Sequence, residues 1–155
     1  MSMAYLAQSD QQQQLEWLDG GVLAVLLDSA ATDGQLTVGR FSLARGAASP
    51  YHLHTREDEV FLLLKGSALV WAGDTQTELS EGGIVFLPKK IPHSYRITSD
   101  SADMLMICTP AGIEGMFRHA GRDRSTPRPE GFRISPELLA EAADTYGQIV
   151  VGPPR

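Results

Sequence analysis

The sequence predicts an all-β fold, a sandwich or barrel of short strands, on three observations. A succession of short apolar runs lies between Leu15 and Thr109, each closed by turn residues. No ten-residue helical periodicity interrupts them, which argues against a parallel α/β arrangement. Glycine makes up 15 of 155 residues, above the usual fraction of roughly 7%, as a chain with many tight turns requires.

Each element follows in order. Val22 to Leu27 is the first apolar run, and Asp28-Ser29 closes it. Gln35 to Ala44 alternates, with Leu36 and Val38 on one parity and Phe41 and Leu43 on the other, before the turn at Arg45-Gly46. Val60 to Leu64 ends at Lys65-Gly66, and Ala68 to Trp71 ends at Gly73-Asp74. Ile84 to Leu87 stops at Pro88, Ser94 to Thr98 alternates, and Met104 to Ile107 stops before Pro110. The character then changes. Ile113 to Ala120 suits a short helix, and 121–133, rich in Arg, Pro and Gly, reads as a loop. Ser135-Pro136-Glu137 is a helix start: an N-cap, a proline at the first helical position and an acid at the positive end of the dipole. Leu138, Leu139, Ala142, Ala143 and Tyr146 share one face, and Gly147 follows as a C-cap. The tail through Val150-Val151 to Pro153-Pro154 is expected to add an edge strand or lie along the barrel. The organisation expected is an N-terminal arm over 1–14, a barrel over 15–110, and a helical extension and tail over 111–155. Gln11 to Gln14 belongs to the arm and reads as loosely packed.

Composition bounds the function classes. Hydrophobic residues at 43% and charged residues at 21% exclude a mostly disordered chain. With 13 Lys+Arg against 19 Asp+Glu the net charge is −6, a poor balance for a nucleic-acid partner. Cys108, the one cysteine, has no partner for an internal disulfide. It ends an apolar run and reads as a small buried hydrophobe, since no pattern supplies it with a base. Met1 to Asp10 carries no Lys or Arg, so a signal peptide lacks its basic start. Val22 to Leu27 is far short of the roughly 20 residues that span a bilayer. A cytoplasmic location and no membrane partner are expected.

The chemistry concentrates in two segments. His52 and His54 stand two apart, so on a strand both side chains reach the same face. Glu59 has the wrong parity for a continuous strand, but the polar stretch Thr55-Arg56-Glu57-Asp58 offers a turn, after which Glu59 opens the next strand facing the same interior. His93, after Pro88-Lys89-Lys90-Ile91-Pro92, supplies a third imidazole. Either histidine alone is more often a packed or exposed residue than a ligand. Three imidazoles and a carboxylate together suit one divalent transition metal: the nitrogens favour Fe, Co, Ni, Cu or Zn, and the carboxylate keeps Mn and Fe in play. His119 has no spaced partner and reads as structural or surface. Phe61, Phe86, Tyr95 and Phe117 are expected to line a substrate pocket, with Phe117 closing its mouth; Trp71 and Met104 are further candidates. Such residues also build any barrel core. Arg118, Arg122, Arg124, Arg128 and Arg133 read as a solvated stretch with scattered salt bridges rather than as an anion site.

These segments resemble the cupin family. Its first motif, Gly, five residues, His-x-His, three or four, Glu, six, Gly, is met by Gly46, His52, His54, Glu59 and Gly66. Its second is met by Gly82, Pro88 and His93, with departures at Lys90, where the family has Gly, and Ile97, where it has Asn. A lysine resists the positive φ that glycine allows. The resemblance implies a cupin-type jelly-roll β-barrel with a short C-terminal helical extension, often a homodimer, with the metal in the barrel mouth. The branch that looks most similar is the single-domain bacterial proteins related to quercetin dioxygenases. There the likeness extends to Gly115-Met116-Phe117-Arg118, the Ser135-Pro136-Glu137-Leu138 helix and Val150-Val151-Gly152-Pro153-Pro154. It implies a dioxygenase that holds Ni, Co, Mn or Fe, with Zn also possible, and takes a small aromatic substrate, flavonol, phenolic or polyketide, together with O2. Glu59 is then both ligand and general base. Two alternatives stay open: a non-oxidative isomerase, cyclase or lyase on the same metal, and a small-molecule-binding module without catalysis.

Overall fold

Alternation of side chains along the strands sets two layers with the core between them. The computed structural model describes residues 3–155; Met1 and Ser2, at the start of the expected arm, lie outside the described residues. The strands in the first half of the barrel are β1 (Gln13–Glu16), β2 (Val22–Leu27), β3 (Thr37–Ala44), β4 (Tyr51–His54), β5 (Asp58–Lys65) and β6 (Ala68–Ala72). Those that follow are β7 (Thr75–Leu79), β8 (Ile84–Leu87), β9 (His93–Ile97) and β10 (Ser101–Thr109), with β11 (Arg122–Asp123) and β12 (Gln148–Gly152) nearer the C-terminus. The helices are α1 (Ser29–Thr32), α2 (Glu114–Ala120) and α3 (Pro136–Thr145). One sheet has seven strands in the order β11-β1-β2-β3-β10-β5-β8, the other five in the order β12-β4-β9-β6-β7. All pairings are antiparallel. The result is the jelly roll expected from the sequence, with few and short helices.

The core is filled from the inner faces of both sheets: Phe41 and Leu43 on β3, Phe61 and Leu63 on β5, Met104 and Met106 on β10, and Val70, Tyr95 and Ile97 from the opposite sheet, all buried. Each such burial is worth about 1.5–3 kcal/mol. The helices follow their capping signals. Ser135 Oγ accepts from Leu138 N, with Pro136 in the first turn of α3, and Gly147 takes φ +75° directly after the helix. α1, which the sequence read only as a turn, is one short piece capped by the Asp28 side chain on Ala31 N.

Three expectations need correction. Gln13 and Gln14 are strand residues, paired with Val25 and Ala24, so the arm is ordered pairing at its end rather than loosely packed. The segment 121–133 is not wholly loop: Arg122 and Asp123 pair with Glu16 and Leu15. β7 went unread, because Thr75 to Glu78 are exposed on both faces and carry no apolar alternation. The tail does add an edge strand, β12, which lies against β4. No helix among the described residues is long and apolar enough to cross a membrane.

Candidate metal centre

The cluster forms because β4 delivers two inward positions, and β9 and β5 one each, to the same point. On β4 the burial alternates, with His52 and His54 inside and Tyr51 and Leu53 half-buried. On β9 the first residue, His93, sits directly opposite His52 in register, so these two rings meet with centroids 4.3 Å apart. His54 completes the group at 4.9 Å from His52 and 5.3 Å from His93. One ligand atom from each ring lies within 4.8 Å of the others. Glu59 comes from the facing sheet: the turn at 55–57 resets the parity, and Glu59, Phe61 and Leu63 point inward along β5. Its Oε1 is 3.1 Å from His93 Nε2 and its Oε2 3.6 Å from His54 Nε2. The site therefore bridges the two sheets.

The supporting contacts settle which atoms face the centre. His52 donates from Nδ1 to Pro50 O at 2.6 Å, and His93 from Nδ1 to Ile91 O at 2.9 Å. In neutral rings this leaves each Nε2 as a lone pair. His93 Nε2 and Glu59 Oε1, though 3.1 Å apart, then have no hydrogen between them, and both count among the buried polar atoms without a hydrogen-bond partner. Two lone pairs opposed at that distance, each removed from water, want a cation. The donor set of three nitrogens and a carboxylate oxygen suits a divalent transition metal. These residues fit one.

Burial and mutual contact set the four groups apart electrostatically. Burial, reinforced by His93 and His54, pushes His52 down to about 3. Burial also lowers His54, more than Glu59 raises it. His93 moves the other way: burial opposes its charge, but contact with Glu59 outweighs it and raises the pKa. Glu59, despite burial, is drawn down to about 2 by the three imidazoles, so it is ionised at neutral pH. Cys108 lies across β10 from Glu59 and donates Sγ–H to its Oε2 at 3.4 Å. Burial and Glu59 hold that thiol far above its ordinary range, which leaves it protonated and not a nucleophile. Burial raises Glu57 to about 7.

A cavity of about 40 Å³ opens from the cluster. His52, His54 and Glu59 form one side, and Phe61, Tyr95 and Phe117 line it as well. Phe86 does not: it is 62% exposed beside Ile84 on edge strand β8. The reason is parity, since Phe86 pairs with Val60, an outward residue of β5. Trp71, half-buried on β6, and Met104, in the core, are also absent from its walls. Residues the sequence reading missed are Trp17, Phe41, Met106, Met116, Leu139 and Gln148. Trp17 and Phe41 meet Phe117 edge-on, with ring centroids 4.7 and 5.7 Å apart. Gln148 sits across β12 from His54 and is 7% exposed; only strand pairing, invisible to motif spacing, puts it there. His119 lies outside the cluster, 3.7 Å from Glu141 and edge-on to Tyr146. Arg118 binds Asp28 and Gln13, Arg122 and Arg128 share Glu16, and Arg124 reaches Gln14. Those arginines fasten the C-terminal segment to the barrel edge.

Residues 39–110 match the family model described as a cupin domain. The chain is 30% identical over 90 residues to quercetin 2,3-dioxygenase of Bacillus subtilis, a match covering 58% of this chain but 27% of that protein. It is 25% identical over 92 residues to an uncharacterized protein of Streptomyces coelicolor, covering 54% of this chain and 87% of that protein. Among solved structures, KdgF from Halomonas sp. superposes with a TM-score of 0.64 at 16% identity, over 71% of this chain and 98% of the other. Oxalate decarboxylase of Bacillus subtilis does so with a TM-score of 0.62 at 20% identity, over 72% of this chain and 31% of the other. At these identities the structural likeness concerns the fold.

Proposed function

The chain belongs to the cupin superfamily, and from that premise we propose that it is a metal-dependent dioxygenase acting with O2 on a phenolic or enolic substrate such as a flavonol. The carrying observation is the buried donor set of His52, His54, His93 and Glu59, of which His52, His54 and Glu59 face a cavity walled by aromatic side chains. The likeness to a quercetin 2,3-dioxygenase supports the same reading.

A Ni, Co, Mn or Fe ion held by those four residues would supply Lewis acidity and redox capacity; zinc would supply the first alone. The chain's own residues do the rest. Glu59, ionised at neutral pH, takes the proton of the substrate hydroxyl. Cys108 holds Oε2 of that carboxylate and so directs Oε1 toward the centre. Phe61, Tyr95 and Phe117 bracket a planar ring, and Gln148 offers the amide that can orient a carbonyl. Trp17, Phe117 and Leu139 exclude bulk water.

Cavity size favours a second reading. At about 40 Å³ the space holds a few waters, at roughly 10–15 Å³ each. A flavonol is much larger than that space, whereas a small enolisable carbonyl is closer to its size. Non-oxidative isomerisation or lysis of such a carbonyl needs the same Lewis acid and the same base. Oxygen consumption separates the two. Protein loaded separately with Ni, Co, Mn, Fe or Zn and supplied with a flavonol is expected to consume O2 with at least one redox-capable metal. Glu59→Gln, with metal retained, should slow that turnover by about 100-fold or more. No O2 uptake by any loaded form sinks the dioxygenase reading. Turnover of an enolisable ketone without O2 establishes the second, and binding without turnover leaves a binding module.

A further inference from the structure

The three imidazoles of the cluster are not held alike. His52 and His93 each give Nδ1–H to a main-chain carbonyl two residues earlier, Pro50 O and Ile91 O. For His54 no carbonyl plays that part, and its Nδ1 is buried without a hydrogen-bond partner. The group facing it is Glu57, whose Oε2 lies 3.9 Å away and is likewise buried without a partner. The two side chains are only 5% and 3% exposed. On its other edge, His54 directs Nε2 toward Glu59 Oε2 at 3.6 Å. An imidazole therefore stands between two carboxylates, one toward the cavity and one behind it.

A turn residue between two strands ordinarily points to solvent, and a glutamate is almost never buried without a pairing group. Leaving either polar group unpaired costs about 1–3 kcal/mol. At 3.9 Å the contact is longer than a hydrogen bond by roughly 0.7 Å. Resting on the metal-site reading above, we propose that Glu57 is a positioning residue for His54. Its carboxylate accepts Nδ1–H, fixes the tautomer that presents Nε2 to the centre, and makes this ring a stronger donor than its two carbonyl-held neighbours. A carboxylate polarises an imidazole more than an amide carbonyl does, and partners of this kind orient metal-binding histidines widely.

Two variants separate this role from packing. Glu57→Gln keeps the shape and one acceptor oxygen but loses the charge; Glu57→Leu has no acceptor. The full chain, stripped of metal, is titrated with Co(II) against a competing chelator, and the visible spectrum of the Co(II) form is recorded with the melting temperature of the stripped protein. Glu57→Leu is expected to weaken Co(II) binding by about 10–100-fold and to shift the spectrum, with a smaller loss for Glu57→Gln. In a His54→Ala background the same Leu substitution should cost less than about twofold, because its effect passes through His54. Three results overturn the proposal: unchanged affinity and spectrum in both variants, an equal loss with His54 already removed, or a lower melting temperature with affinity intact. If the unsubstituted chain binds none of Co, Ni, Mn, Fe or Zn, the metal-site reading falls and takes this role with it. If it binds and Glu57→Leu binds equally well, only the role of Glu57 falls.

Discussion

Lys90 holds a backbone conformation that its side chain opposes, at φ +69°, in the turn that delivers His93. Its amide donates to His54 O at 2.7 Å, so this turn also ties the His93 segment to the strand bearing the other two histidines. A left-handed conformation costs a residue with a Cβ about 1–2 kcal/mol, part of which glycine gives back through its freer unfolded chain. Lys90→Gly is therefore expected to stabilise the protein by about 0.5–1 kcal/mol without altering metal affinity. Urea denaturation checks this, and an unchanged or lower midpoint rejects the strain. The other departure from the motif costs nothing visible: Ile97 is 1% exposed and packs in the core, where an asparagine would need a partner. At this scale the four clustered side chains were legible from the His52/His54 spacing, the polar turn before Glu59 and the second motif at His93. Glu57 was not, since a glutamate in a polar turn carries no signal that it is buried.

Between elements, the decisive contact is that of α2 with α3, which together roof the cavity through Met116, Phe117 and Leu139. Gly115 permits it. A Cβ there would lie 2.1 Å from Tyr146 Cε1 and 2.5 Å from Cζ. In a free helix alanine would gain about 1 kcal/mol over glycine; here the Tyr146 ring, at the C-cap of α3, must move instead. Gly115→Ala is expected to lower stability by about 1–3 kcal/mol and to part the two helices. Emission from Trp17, which packs edge-on to Phe117, should shift to the red when measured with Trp71 replaced by Phe. A rise in melting temperature would show that propensity wins and that the roof is not tightly set. Both helices were readable, α3 from its apolar face and the Ser135 cap, but their mutual contact was not, because one glycine in a helical stretch looks like any other.

Across the molecule, the site joins the two sheets, so its charges couple to folding. His52 is held near 3 against 6.5 in the unfolded chain, and Glu59 near 2 against 4.5. Both groups bind fewer protons when folded, so their contributions are lost as pH falls toward those values. Glu57, held near 7 against 4.5, binds more protons when folded and contributes in the opposite sense between pH 4.5 and 7. In metal-free protein His52 and Glu57 therefore oppose each other from pH 6.5 to 4.5, and the stability profile is expected to be shallow there. Below 4.5 Glu57 is protonated in both states, and stability should fall by about 2–3 kcal/mol per pH unit as His52 and Glu59 act together. Urea midpoints measured from pH 7 to 3 test this; a steep loss beginning at 6.5 would mean that burial does not raise Glu57 in the metal-free protein.

What the sequence by itself determined is what local spacing encodes: short alternating strands, the helix start at Ser135, and the donors His52, His54, Glu59 and His93 at fixed intervals. Those intervals work because a strand repeats every two residues and a turn resets its parity. Only the tertiary structure decided which other side chains meet them. Strand order places Gln148 beside His54 and Cys108 beside Glu59, and outward parity on an edge strand turns Phe86 to solvent. Pairing between distant segments leaves no period in the chain, so its consequences appear only when the sheets close.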